Sequence, residues 1–301
     1  MSETNKTGKL LEVKDLKVSF FTDLGETQAV KGAGFAIGEG DFFGIVGESG
    51  SGKSVTTKSI LRLGPSNCKI MGGEILFRGE DILKKNEAEL REIRGGEIAM
   101  IFQDSLSALN PVYTVGNKMV ELIRRHTNMN KKEAKARVLE LLTTVGITDP
   151  EKAMNSYPHE LSGGMRQRVM IAMAMSSDPK VLIADEPTTA LDVTIQAQIL
   201  HLLLELQKKN NMSIILITHD LGVVAQTCKR VAVMCGGYVV EEGTVEEIFL
   251  HPGHPYTQAL IASMPRVGGT FEQFLERDLS DGNGDLCPFL NRCKYADKTC
   301  E

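Results

Sequence analysis

The chain has 301 residues, with 39 Asp and Glu against 34 Lys and Arg and a formal net charge of −5. That length allows one large domain or two modest ones, each with its own core. No Lys/Arg block is longer than a pair, which argues against the basic footprint of a nucleic-acid binder, and no apolar run approaches the length of a membrane span. With no apolar stretch behind Met1-Ser2-Glu3, the reading is a cytosolic protein whose membrane contact, if any, goes through a partner.

Leu10 to Phe21 alternates loosely as a strand does, Asp23-Leu24-Gly25-Glu26 reads as a turn, and a second strand covers Thr27 to Ile37. Gly38-Glu39-Gly40-Asp41 turns the chain into the buried strand Phe42 to Val46. Gly47-Glu48-Ser49-Gly50-Ser51-Gly52-Lys53-Ser54 follows, and a helix is expected from Lys53 to Leu63. This is the G-x-x-x-x-G-K-S phosphate loop in its strand-loop-helix setting. Its glycines let backbone N–H groups turn inward toward one anion, with the helix N-terminus behind them. Lys53 would place a charge on the β- and γ-phosphates, and the Ser54 hydroxyl would hold Mg²⁺.

Glycines at 64, 72, 73 and 79 break up a short antiparallel piece around Glu74-Ile75-Leu76-Phe77, after which Ile98 to Phe102 is a buried strand ending at Gln103. From there to about Asp178 the pattern is helical, with Ala134, Val138, Leu141 and Val145 on one face of a helix that opens at Lys131. Strands return at Lys180 to Asp185, Ser213 to Thr218 and Arg230 to Met234, separated by helices at Thr194 to Lys209 and Leu221 to Cys228. Buried β-rich runs alternating with helices indicate a mostly parallel α/β sheet.

Val181-Leu182-Ile183-Ala184 ends in Asp185-Glu186. Beside a phosphate loop, Asp185 would coordinate Mg²⁺ through its water shell and Glu186 would polarise the attacking water. His219, closing the next buried strand, is placed to reach the γ-phosphate, and the Gln103 amide to touch Mg²⁺ or water. Leu161-Ser162-Gly163-Gly164-Met165 carries an N-cap and two glycines that bare amides at the start of a helix running to about Ser176. One nucleotide does not need two such cradles from one chain, so Ser162, Gly163 and Gly164 are expected to serve a nucleotide held by another subunit.

In this order, the phosphate loop, Gln103, Leu-Ser-Gly-Gly, the acid-tipped strand, Ala190-Leu191-Asp192 and His219 resemble the nucleotide-binding subunit of an ABC transporter over roughly residues 10–265, with the helical subdomain at about 104–178. The resemblance implies a P-loop ATPase of ABC type: a mostly parallel sheet, an antiparallel β subdomain and a helical signature subdomain. It gives Phe20 the place of the aromatic that stacks on adenine; a core strand residue is the other reading of Phe20. Met165 departs from the Gln that many members carry there, without removing the backbone cradle. Phe102-Gln103-Asp104 to Leu109-Asn110-Pro111, Leu191-Asp192-Val193-Thr194-Ile195-Gln196-Ala197-Gln198 and His254-Pro255-Tyr256-Thr257-Gln258-Ala259-Leu260 further resemble the ATPase subunits of bacterial oligopeptide and dipeptide importers, whose relatives include nickel importers. Those imply a homologous ATPase partner paired head to tail, two transmembrane permease subunits, an extracytoplasmic substrate-binding protein, and a peripheral place on the cytoplasmic face of the membrane. A soluble ABC ATPase acting on nucleic acid or ribosomes is the reading from another class, and lacks the basic surface or second ATPase domain such proteins carry. A nucleotide-binding scaffold without turnover is disfavoured by Glu186 and His219 together.

Of six cysteines, Cys68, Cys228 and Cys235 are scattered and read as ordinary apolar residues or unreactive thiols, whereas Cys287, Cys293 and Cys300 crowd the 266–301 extension. A cytosolic setting disfavours disulfides there and points to metal. The importer resemblance implies a [4Fe–4S] cluster bound by four cysteines; three precede Glu301, so the fourth ligand would come from elsewhere, and Zn²⁺ or free thiols stay open.

Overall fold

The computed structural model describes residues 8–103, 109–189, 191–264, 287–297 and 300; Asp104, Ala190 and residues 265–286, most of the extension, lie outside them. In chain order the elements are β1 (Lys9–Thr22), β2 (Gly25–Gly38), β3 (Phe42–Val46), α1 (Lys53–Ile60), β4 (Cys68–Phe77), β5 (Glu80–Asp81), α2 (Glu87–Ile93) and β6 (Ile98–Ile101). Then come α3 (Val115–His126), α4 (Lys131–Thr144), α5 (Pro150–Asn155), α6 (Gly163–Ala174), β7 (Val181–Asp185), α7 (Val193–Asn210) and β8 (Ser213–Ile217). The chain closes with α8 (Leu221–Thr227), β9 (Arg230–Cys235), β10 (Tyr238–Thr244), α9 (Val245–Leu250) and α10 (Pro255–Ala262). It divides into two compact units, one of Met1–Gly38, Phe42–Leu83 and Thr218–Glu301, the other of Glu39–Asp41 and Lys84–Ile217.

In the first unit an antiparallel sheet runs in the order β2-β1-β4-β5. Leu11, Leu16, Val18, Val30 and Ile37 are fully buried along β1 and β2, the alternation expected of strands with one face inward. β4 starts at Cys68, six residues ahead of the expected strand, because Gly72 and Gly73 do not break it. They form an irregularity where the β1 register shifts between Lys14 and Lys17, and Gly73, at φ 97°, lies so close to β1 that a Cβ would meet the Lys14 and Asp15 carbonyls at 2.6 Å. α1 stops at Ile60 rather than Leu63: Arg62 turns left-handed at φ 51° and Gly64-Pro65 follows. β3 pairs parallel with β9, and β10 runs antiparallel to β9. All five residues of β3 are buried, and the Phe43 ring stacks on Phe35 at 5.5 Å between centroids.

In the second unit β6, β7 and β8 pair in parallel, β7 between the other two, and every residue of β7 and β8 is buried. Strands covered on both faces need continuous apolar sequence, which is how they read. Helices α2 to α7 belong to the same unit. α4 buries Ala134, Val138, Leu141 and Leu142, and its N-terminus is closed by a capping box between Asn130 and Glu133. Among the described residues no helix is long and apolar enough to cross a membrane.

Phe43 is 0 % exposed and its ring is stacked. Phe43→Ala is therefore expected to cost about 3–5 kcal/mol, read as a lower urea midpoint in the transition that reports the first unit.

Candidate functional site

β3 delivers its chain end into the loop Gly47 to Gly52, and α1 begins at Lys53. A Cβ on Gly47 would lie 2.1 Å from the Met234 carbonyl oxygen and 2.8 Å from Ser51 Oγ, at φ 150°, so the loop is folded down against β9 as far as a bare α-carbon allows. Gly52 is the left-handed N-cap of α1. The Lys53 side chain turns back into this loop: Nζ donates to the Gly47 carbonyl at 2.7 Å, to the Glu48 carbonyl at 2.8 Å and to Ser51 Oγ at 3.4 Å. Lys53 is 6 % exposed and Ser51 5 %, whereas Glu48, Ser49 and Gly50 face outward and Ser54 is half-buried. An ammonium is thus stored inside a ring of oxygen acceptors, a charge that an oxyanion can claim in their place.

Thr218 and Tyr256, also of the first unit, are tied to this loop and the strand that leads into it. The Thr218 N–H donates to the Ile45 carbonyl at 3.2 Å, which ties the turn carrying the exposed His219 to the end of β3. The same turn is fixed on its other side by Asp220, whose carboxylate caps α8 through the Gly222 and Val223 amides. The Glu48 N–H donates to the hydroxyl of Tyr256, a side chain 1 % exposed whose burial pushes its pKa up and keeps the phenol neutral. Phe20 stands half-buried on β1, paired with Thr27 and Cys68, and is neither a sealed core residue nor fully open.

In the second unit Asp185 ends β7 with its side chain 0 % exposed, and Glu186 follows at φ 46°. A left-handed glutamate is a strained residue, costing of order 1–2 kcal/mol. Its neighbours fix it there: the Glu186 N–H donates to the Ile217 carbonyl at 2.9 Å, and the Glu186 carboxylate accepts from Gln103 Nε2 at 2.8 Å and Thr189 Oγ1 at 2.9 Å. Gln103 and Glu186, 83 positions apart, are thereby brought into contact. Ser162 caps α6, its Oγ accepting from the Met165 N–H at 3.3 Å, and Arg166 donates back to the Leu161 carbonyl at 2.8 Å. Ser162, Gly163 and Gly164 line an open cavity of about 830 Å³ together with Arg168, Leu191 and Asp192.

The tail cysteines are half-buried, and the Cys287 N–H reaches the Cys300 carbonyl at 3.5 Å. Cys228 and Cys235 are buried with thiols pushed up to about 12 by desolvation, as inert residues should be. Sequence reasoning missed Thr189, Tyr256 and Arg292. Thr189 lies in the stretch between Glu186 and Asp192, so a hydroxyl three positions past a candidate base was a usable signal. Tyr256 and Arg292 meet Glu48 across 208 and 244 positions, contacts that no local signal foretells.

The "ABC transporter" family model matches residues 30–189, and the model described as "Oligopeptide/dipeptide transporter, C-terminal region" matches residues 240–300. This chain belongs to the ABC transporter ATP-binding family. The fold is accordingly that of an α/β P-loop ATPase of ABC type, and ATP hydrolysis is the activity characteristic of the family. The "Oligopeptide transport ATP-binding protein OppD" of Bacillus subtilis is 56 % identical over 268 residues, 89 % of this chain and 75 % of that one. The "Dipeptide transport ATP-binding protein DppD" of the same organism is 50 % identical over 300 residues, 97 % of this chain and 89 % of that one. Among solved structures, a dimeric bacterial ABC transporter cassette superposes with a TM-score of 0.70 at 30 % identity, covering 78 % of this chain and 98 % of that one. The same cassette is known in a dimeric post-hydrolysis state bound to ADP and Pi, with a TM-score of 0.70 at 29 % identity.

Gly47→Ala, which drives a methyl into the Met234 carbonyl, is expected to destabilise the first unit by about 3 kcal/mol. Gly50→Ala, at φ 78° with nothing within 4 Å of its Cβ, should cost only about 1 kcal/mol. Equal urea midpoints for the two variants would contradict the packing described for the loop.

Proposed function

We propose that this ABC ATPase is the motor subunit of a bacterial importer for di- and oligopeptides, hydrolysing ATP to drive uptake through separate permease subunits. The observation that carries the cargo class is the match of residues 240–300 to the C-terminal region of oligopeptide and dipeptide transporters, with relatives named for oligopeptide and dipeptide transport behind it. Peptides are favoured over nickel on that ground.

In this reading Lys53 gives up its carbonyl acceptors for the β- and γ-phosphates, and loop amides other than those of Glu48 and Ser51, which are held by Tyr256 and the Glu48 carbonyl, bind the remaining oxygens. Phe20 stacks on the adenine, its half-exposed ring leaving a face to offer. Ser54, Asp185 and Gln103 carry hard oxygen donors of the kind that suits Mg²⁺, which needs few protein ligands because it keeps waters and takes phosphate oxygens. Bound there, the ion would neutralise charge on the transferring phosphoryl group. Glu186 polarises the water, held in its strained pose by Gln103 and Thr189, and His219 steadies the γ-phosphate.

Ser162, Gly163 and Gly164 cap the nucleotide of a partner ATPase subunit, so two subunits close head to tail on ATP and part after hydrolysis. The dimeric cassette at TM-score 0.70 supports this arrangement, and the partner is proposed to be a homologue of this chain. The complex sits on the cytoplasmic face of the membrane, joined to two permease subunits that an extracytoplasmic binding protein supplies. Among the described residues no three His, Cys, Asp or Glu side chains come together to hold a metal, so the [4Fe–4S] cluster that the resemblance implies finds no support there. ATP hydrolysis as assigned draws on no redox centre.

In a complex reconstituted with its permease and binding-protein partners, Glu186→Gln should keep MgATP binding while hydrolysis and ATP-dependent peptide accumulation fall together by about 10²–10⁴-fold. Near wild-type hydrolysis would remove Glu186 from its role, and wild-type vesicles that concentrate nickel but no peptide would overturn the cargo. Ser162→Arg should leave nucleotide affinity of the isolated chain within about twofold but block hydrolysis by the complex when both signatures carry it. Full turnover of that doubly altered complex would refute the shared site.

A further inference from the structure

We propose that Arg292, in the segment after the extension begins, is a positioning residue for the ATPase site: it holds and neutralises the Glu48 carboxylate at the second position of the phosphate loop, and so sets the affinity for the magnesium-bound triphosphate. This rests on the phosphate-loop reading above. Arg292 Nη1 donates to Glu48 Oε1 at 3.0 Å and Nη2 to Oε2 at 2.9 Å, a two-pronged pair in which both guanidinium ends meet both carboxylate oxygens. The arginine side chain is 14 % exposed and the glutamate 47 %. Its guanidinium lies 5.0 Å from the Phe289 ring centre and 6.0 Å from that of Tyr256, and those two rings meet edge to face at 5.5 Å.

Exposed ion pairs are usually worth little, because two long side chains must be immobilised in a medium that screens them. This pair differs in that the arginine is already immobilised by two rings and by a neighbouring anchor: Pro288 packs so closely on Gly236 that a Cβ there would come within 2.6 Å of the proline Cβ. Glu48 is consequently held at each of its polar groups. Its N–H is held by Tyr256, its carbonyl by Lys53 and its carboxylate by Arg292. Two of those three holds come from beyond β10, so the C-terminal part of the chain is a support of the phosphate loop.

The electrostatic consequence is direct. A carboxylate in a loop that receives a polyphosphate lies within a Debye length of the incoming charge, about 10 Å at 0.1 M salt, and repels it unless neutralised. The guanidinium neutralises it. Lysine would keep the charge but not the fork, so Arg292→Lys should keep only part of the effect.

The test is a titration of the full-length chain with a fluorescent ATP analogue and Mg²⁺, in low and in high salt, with melting curves run alongside. Arg292→Ala is expected to weaken binding roughly tenfold in low salt, equivalent to ~1.4 kcal/mol, and less in high salt. Adding Glu48→Gln should bring affinity back to within about threefold of wild type, because the repelling charge is gone. Tyr295→Ala, at an exposed site two positions past Cys293, should bind as wild type. If Arg292→Ala loses its melting transition, Arg292→Gln, which keeps a stem against both rings, carries the same comparison. Unchanged affinity in the arginine variants overturns the proposal, as does a defect that neither salt nor Glu48→Gln relieves, since packing alone would then account for it. A wild-type chain that binds no probe overturns the phosphate-loop reading and this support with it; wild-type binding beside an unaffected Arg292→Ala overturns only the support.

Discussion

A buried ammonium group governs the shape of the phosphate loop. Taking Lys53 to 6 % exposure would cost several kcal/mol if its charge met no acceptors, yet its three N–H donors find the Gly47 carbonyl, the Glu48 carbonyl and Ser51 Oγ. Satisfying them holds the loop curled around the ammonium. Everything upstream serves that geometry. β3 is buried along its whole length and so fixes where the loop starts, and Gly47 lets it bend against Met234. A polyphosphate would offer the same lysine better acceptors than neutral carbonyls, so binding as proposed would exchange one satisfied arrangement for a stronger one.

The acidic half follows the opposite logic. Where the loop is satisfied at rest, Glu186 is strained at rest, held in a left-handed conformation by an amide bond to Ile217 and side-chain bonds to Gln103 and Thr189. Strain of this kind persists only where surrounding contacts over-determine it, and it concentrates where chemistry is done. Asp185 stays fully buried at the strand end while the next residue turns outward, so adjacent carboxylates are given different environments by one change of backbone sign.

The buried parallel strands were legible because covered strands must be apolar throughout: Phe42–Val46, Val181–Asp185 and Ser213–Ile217 need no partner information to be recognised. The motif residues were legible for a related reason, since glycines, a lysine and paired acids at strand ends satisfy local backbone and charge requirements. What was hidden falls into two kinds. β10, α9 and α10 went unread because β10 is half-exposed along its length and α9 has only six residues, too few to show a period. β4 was cut short because Gly72 and Gly73 have the same appearance in a sequence whether they end a strand or kink it. The contacts of Tyr256 and Arg292 with Glu48 were hidden for the second reason: they exist only once the chain has closed on itself across more than two hundred positions.

The central claim, that the loop around Lys53 is a nucleotide site built on a stored charge, is tested most directly by calorimetric titration of the full-length chain and its Lys53→Ala variant with MgATP. The account predicts that wild type binds and that the variant loses at least about tenfold in affinity, the scale of one charge-assisted hydrogen-bond set. Equal affinity in the two proteins would contradict it.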